Sequence, residues 1–201
     1  MSAILGHGAE APADAKRARI LNGAMKVFLA YGFSRTTMDD IARAADVSRP
    51  ALYLLFKNKT DIYRALASDF VGDALAHARN ALAKDGPLVA RLEQAIHCAT
   101  HILREVEDSP HGAEILDMKN SLAGDIVATG RTGMGSLVEE AIAAEAGRAG
   151  IRLAERGLSE RMLSDLLLDA IDGMKMRALP REAQQSATFG YIALIGRLLT
   201  K

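Results

Sequence analysis

Between Thr36 and Phe56 the chain carries two helix-start signals eleven residues apart, and no other stretch constrains its fold as tightly. Thr37 is followed three residues on by Asp40, the spacing at which an N-cap hydroxyl and an N3 carboxylate each accept from the other residue's backbone amide. Ser48 is a second N-cap. Pro50 lies in the first turn behind it, where its missing N–H is no loss, and Val47 ahead of it is placed to staple against Leu52. The apolar face between the caps is only Ile41, Ala42 and Ala45, so the first helix cannot exceed about two turns before Asp46-Val47-Ser48 turns the chain. The reading is two short helices joined by a tight turn, a helix-turn-helix spanning 37–56.

The flanks fit that reading. Upstream, Ile20, Leu21, Ala24, Val27, Phe28 and Tyr31 fall at i, i+1, i+4, i+7, i+8 and i+11, an apolar stripe on a helix from Asp14 that Gly32 closes as C-cap. Its first turn holds Lys16, Arg17 and Arg19, the wrong sign for the positive end of a helix dipole, so a negative partner is expected there. In the helix after Ser48, the i, i+3, i+4 set Leu52, Leu55 and Phe56 is expected to face inward. Arg49, Tyr53 and Lys57 then form an outward basic and aromatic stripe, with Pro50 and Leu54 beside it. Asn58 caps a further helix, whose stripe of Ile62, Leu66, Phe70, Ala74, Ala78 and Leu82 runs to the break at Asp85-Gly86-Pro87.

Beyond that break five more helices are expected: from Pro87 to about Asp108, from His111 to Asn120, from Ser121 to about Gly147, from Ser159, and from Pro180. Period-two alternation of β-branched residues is absent and aromatics are 4% of the 201 residues, so the fold class is all-α. The last two helices carry wide apolar faces, fit for a protomer core or a subunit interface. The organisation expected is a disordered tail at 1–13, a head at 14–74 and a body at 75–201. The formal charge of zero hides a division. Ten basic and six acidic residues up to Leu66 make the head +4, while 15 basic and 19 acidic residues leave the remainder at −4. A polyanion-binding head on an acidic body is the reading.

The residues Ile20 through Phe28, Gly32, Thr36-Thr37, Ile41-Ala42, Ala45-Asp46-Val47-Ser48, Ala51-Leu52-Tyr53, Phe56 and Lys59 together resemble the DNA-binding domain of the TetR family of bacterial transcription regulators. The resemblance implies a homodimeric repressor that binds a near-palindromic double-stranded DNA operator and is released by a small-molecule effector. Residue by residue, it implies that Thr37 touches a phosphate, that Ser48, Arg49, Pro50 and Ala51 enter the major groove, that Tyr53 holds a phosphate and that Lys59 clamps the backbone. Arg49 suits a guanine edge, Leu54 a thymine methyl, and the basic side chains of Arg17 and Lys57 further phosphates. It also implies a dimer through the last two helices: Leu163, Leu167, Ile171 and Met174 on one, and Tyr191, Leu194, Ile195 and Leu198 on the other. Two positions depart from the family's pattern. Asp46 stands where Gly is common, in a turn whose left-handed conformation Asp tolerates, and Leu55 stands where His or an aromatic is common.

Rival features weigh less. Glu93, His97 and His101 lie at i, i+4, i+8, a spacing that can chelate a metal, but on a line about 100° from the apolar stripe of their helix, the angle one residue subtends. A polar flank is the reading, and no metal or cofactor is expected. Nothing basic beside the lone Cys98 would activate it, and its solitude excludes an internal disulfide. Met118, Met134, Met162, Met174 and Met176 serve as core filler or as pocket lining. Gly130, Gly133 and Gly135 either open space for a ligand or let helices approach closely. The Leu- and Ala-rich body favours an apolar or amphipathic effector, with no residues assigned to its site. No apolar run reaches a membrane-spanning length and the N-terminus has no signal-peptide pattern, so a cytoplasmic protein is expected. An enzyme is not, for want of a nucleophile-and-base pair or a phosphate loop. The open alternatives are a DNA-binding regulator without an inducer, an activator, and a helical metal-binding protein using Glu93, His97 and His101.

Overall fold

The computed structural model describes residues 12–117, 119–177 and 179–200, and among these nine α-helices and one 3₁₀ turn account for the regular structure. They are α1 (Pro12–Tyr31), α2 (Met38–Ala44), α3 (Arg49–Tyr53), α4 (Lys59–Leu82), α5 (Leu88–Glu107), α6 (Gly112–Asp117), α7 (Lys119–Ala149), the 3₁₀ turn Leu153–Arg156, α8 (Glu160–Met176) and α9 (Arg181–Leu198). No strand occurs among the described residues. Also among them, no helix is long and apolar enough to cross a membrane.

Local signals set the starts and stops. Thr37 and Asp40 form the reciprocal capping box, with the Asp40 amide donating to Thr37 Oγ1 at 3.2 Å and the Thr37 amide to Asp40 Oδ2 at 3.0 Å. Ser48 caps α3 by accepting from the Ala51 amide, and Asn58 caps α4 by accepting from the Asp61 amide. Gly32 ends α1 at φ +83°, a conformation that strains any L-residue. Asp46 takes φ +51°, the left-handed turn expected of it.

Three details differ from the sequence reading. Pro12 and Ala13, assigned to a disordered tail, already belong to α1, because proline's fixed φ suits a helix's first turn; the rest of that tail lies outside the described residues. The helix after Ser48 stops at Tyr53, and Leu54 and Leu55 form a tightened turn in which the amides of Leu55 and Phe56 both donate to the Leu52 carbonyl. Leu55 is therefore exposed rather than inward, while Leu52 and Phe56 are buried as expected. Finally, α7 breaks at Ala123, whose φ and ψ of −140° and 25° are not helical.

The chain divides into two compact units, each with its own core. The first comprises the described residues up to Asp73 together with Thr100–Ala128, so it takes in a stretch beyond the 14–74 expected of the head. Its core joins Ile20, Leu21, Phe28, Ile41, Leu52, Ile62 and Leu66 to Val106, Ile115 and Ala123. Gly23 lets α1 meet the end of α2, since a Cβ there would lie 2.8 Å from the Ala45 nitrogen. The second unit comprises Ala74–Ala99 and the described residues from Thr129 onward. Leu92, Val138, Ile142, Leu163, Leu167, Met174 and Ile192 are buried together there. Of the two roles open to its glycines, Gly133 takes close approach, since a Cβ there would lie 2.9 Å from Leu75; at Gly135 a Cβ would make ordinary contact, and its carbonyl accepts a buried bond from the Ser164 hydroxyl at 2.9 Å.

Candidate nucleic-acid interface

The capped start of α3 puts a compact set of side chains on the surface of the first unit. Ser48, Arg49, Pro50, Tyr53, Leu54 and Lys57 are exposed, Ala51 half so, and Leu54 is 85% exposed, which burial in the protein cannot explain. Thr37 is exposed at the start of α2, with its hydroxyl engaged in the cap, where it donates to Asp40 Oδ2 at 2.6 Å and accepts from the Asp40 amide. Asp40 is held below the ordinary carboxylate range, first by the Thr37 hydroxyl, then by the Thr37 amide and by Arg43. That anion is thus fixed into the cap.

Arg49 does not extend freely. Its Nη1 donates to Asp39 Oδ2 at 3.2 Å, its Nε lies 3.1 Å from Asp39 Oδ1, and its guanidinium carbon stands 5.7 Å from the centre of the Tyr53 ring. These contacts join the first turn of α2 to α3 across the turn.

Two of the cations expected at phosphates are engaged inside the unit. Arg17 donates twice to the Asp69 carboxylate, at 2.7 and 2.9 Å, so for Arg17 the negative partner called for in the first turn of α1 is an acid on α4. Lys59 Nζ donates to the carbonyls of Phe33, Ser34 and Thr36 at 2.8, 3.1 and 3.2 Å and lies 4.6 Å from the Phe33 ring centre. Its three hydrogens hold the loop between α1 and α2.

The same loop is held from another direction, which the sequence reading missed. Glu114 of α6 accepts from the Ser34 amide at 3.1 Å and the Ser34 hydroxyl at 3.0 Å, and those bonds hold its carboxyl below its usual range. The buried Tyr63 hydroxyl donates to the Ile115 carbonyl at 2.7 Å, and burial pushes its pKa up to about 12. Arg64 bonds both oxygens of Asp125 and the Leu122 carbonyl, and it lowers the Asp125 pKa to about 2. These partners are 52 to 80 residues apart in sequence, and no local pattern announces them.

On the last two helices burial separates the residues expected at a dimer interface. Leu163, Leu167, Ile171, Met174 and Ile195 are within the core of the second unit, so a partner could not touch them without unpacking it. Tyr191 and Leu194 are exposed and Leu198 half-buried. The large apolar residues that α8 does expose are Met162 and Leu166, each one position off the expected stripe, and Met176 beyond the end of that stripe, and Phe189 adds to those of α9. Among the described residues no three His, Cys, Asp or Glu side chains are grouped to hold a metal ion. His97 is exposed and has a partner of its own, and the His101 side chain lies outside the described residues.

Residues 20–66 match the family model described as bacterial regulatory proteins, tetR family. The HTH-type transcriptional activator FasR of Mycolicibacterium smegmatis is 34% identical over 89 residues, 44% of this chain and 41% of that protein. The HTH-type transcriptional regulator SrpR of Pseudomonas putida is 43% identical over 56 residues, 28% of this chain and 26% of that protein. The chain thus matches less than half the length of these relatives. Solved structures extend the likeness to the whole fold. The fatty acid degradation regulator FadR of Bacillus halodurans aligns over 96% of both chains with a TM-score of 0.61 at 18% identity. SmeT, the repressor of a Stenotrophomonas maltophilia multidrug efflux pump, covers 89% of this chain and 87% of its own with a TM-score of 0.61 at 17% identity, and has also been solved with triclosan.

Proposed function

Residues 20–66 make this chain a member of the tetR family of bacterial regulatory proteins, and from that premise we propose that it is a DNA-binding transcription regulator that works as a homodimer under the control of a small molecule. The observation that carries the reading is the exposed, capped start of α3. Ser48, Arg49 and Pro50, with Ala51 half-exposed beside them, occupy the start of a short helix that the described residues leave open, and Tyr53, Leu54 and Lys57 extend the same surface. A helix end of this kind fits the major groove: Arg49 meets a guanine edge, Leu54 a thymine methyl, and Thr37 at the start of α2 a phosphate. Arg17 and Lys59 act behind that surface by shaping it, since both are engaged within the unit.

A two-fold dimer would bind a near-palindromic operator, with half-sites about one helical turn or more apart. The faces that would meet are those of α8 and α9, where Leu166, Tyr191 and Leu194 are exposed. An apolar or amphipathic effector bound to the Leu- and Ala-rich second unit would favour a conformation whose two α3 helices no longer match the half-site spacing. Such couplings are typically about 1–3 kcal/mol.

Repression is the preferred sign, by likeness to SmeT in fold, and activation is the second reading because FasR is named an activator. A reporter behind the bound site separates them: loss of the protein raises expression if it represses and lowers it if it activates. The DNA reading itself is tested by selecting duplexes from a random-sequence pool and titrating salt. Wild-type protein is expected to select one symmetric sequence and to lose affinity steeply as salt rises. If it selects no sequence and binds without salt dependence, the reading is wrong.

A further inference from the structure

Asp39 has no part in the cap of its own helix. Asp40 fills the third position of the capping box and also pairs with Arg43. Asp39 instead reaches across the turn to Arg49, ten residues on, and takes the guanidinium at Nη1 with Nε beside it, while the Tyr53 ring lies under the same group. Arg49 and Asp39 are 63% and 53% exposed, and a pair so open to water adds little to stability. On a surface that meets phosphates, a carboxylate is moreover repelled. On a DNA-binding surface such a pair would cost general affinity, and what it supplies in return is a preferred position for the Arg49 guanidinium.

We propose that Asp39 is a specificity-determining positioning residue, which holds the Arg49 guanidinium against Tyr53 so that Arg49 meets a base edge and is kept off the phosphates. The inference rests on the DNA-binding reading above. Chemistry leaves room for the contact. Of the five N–H donors of a guanidinium Asp39 accepts one, so guanine O6 and N7 can still be bonded together. Without Asp39 the arginine side chain would have its full set of rotamers and the nearest phosphate would capture it, a contact that carries no sequence information. Tyr53 limits the same motion from the other side, as an aromatic face for the cation.

The test compares wild type, Asp39→Asn, Asp39→Ala, Arg49→Ala and the Asp39→Ala/Arg49→Ala double variant. Each is bound to the duplex that wild type selects from a random pool and to a shuffled duplex of the same composition, over a range of potassium chloride. Asparagine keeps the shape of the side chain, and thermal melts check that each variant is folded. Both Asp39 variants are expected to bind the shuffled duplex more tightly, with a log–log salt slope steeper by about one, as a further phosphate is neutralised. The ratio of selected to shuffled affinity should fall about tenfold, within what one arginine–guanine pair discriminates. In the Arg49→Ala background, removing Asp39 should leave that ratio unchanged. An unchanged ratio in both Asp39 variants, or a fall of equal size without Arg49, overturns the inference and leaves DNA binding standing. Failure of wild type to select any duplex overturns the DNA reading, and this inference with it.

Discussion

A single ammonium shows how a residue type fixes a charge without fixing its use. A lysine at the head of a helix beside a helix-turn-helix suggests a phosphate clamp, but an ammonium has three hydrogens and at Lys59 each has a carbonyl: Phe33, Ser34 and Thr36. Those carbonyls belong to the loop that delivers Thr37 to the start of α2, so under the proposed function Lys59 would act on DNA only through the position of Thr37. Lys59→Met keeps the aliphatic stem and removes the bonds. It is expected to cost about 1.5–3 kcal/mol in urea unfolding, the range for hydrogen bonds to a charged group. It should also weaken binding to the selected duplex with no change in the salt slope, whereas loss of a direct phosphate contact lowers that slope by about 0.9. A slope reduced by that amount would return Lys59 to the phosphates. Arg49→Ala should behave in the opposite way, losing about 1–3 kcal/mol of preference at one operator position while the protein melts as wild type does.

At the scale of elements, what the sequence made legible was whatever closes within about one turn of helix. The caps at Thr37, Ser48 and Asn58, the C-cap at Gly32 and the left-handed Asp46 are all set by bonds or torsions among near neighbours. The early end of α3 was not legible, because Leu54 and Leu55 continue a helical pattern and only the double use of the Leu52 carbonyl stops it. Nor was the alliance of α6 and the start of α7 with the helix-turn-helix, since Glu114 and Asp125 are ordinary surface acids until Ser34 and Arg64 are found beside them. That alliance has a pH signature. Asp125, held at about 2, and Glu114, also lowered, are both depressed in the folded state. Their contribution is complete above the unfolded values near 4 and is lost as pH falls toward 2. The urea midpoint of wild type should therefore drop between about pH 4 and pH 2. The Asp125→Asn/Glu114→Gln variant should start lower at neutral pH and drop less over that window, and an equally steep drop would place the acid sensitivity elsewhere. Gly23→Val should be destabilising at all pH, by about 1–3 kcal/mol, as overpacking where α1 meets Ala45.

For the whole molecule, two apolar surfaces on α8 and α9 must be told apart, because only one of them is open to a partner. Leu167 is 1% exposed and belongs to the core of the second unit, whereas Leu166 beside it is 58% exposed and Leu194 on α9 is 54% exposed. Adjacent residues on one helix point about 100° apart, so a stripe read from the sequence one position off exchanges core for surface. The two surfaces predict different failures. Leu167→Ala should cost about 2–5 kcal/mol in unfolding, as a buried leucine does, and leave the folded protein's mass in solution unchanged. Leu166→Glu combined with Leu194→Glu should leave the protomer folded, with an undiminished helical signal. It should halve the sedimenting mass and reduce operator affinity to that of a single half-site, because the two recognition helices are no longer linked. A double variant that sediments with the wild-type mass would assign the subunit contact to another surface, and a wild type that sediments as a monomer at operator-binding concentrations would remove the dimer from the proposed function.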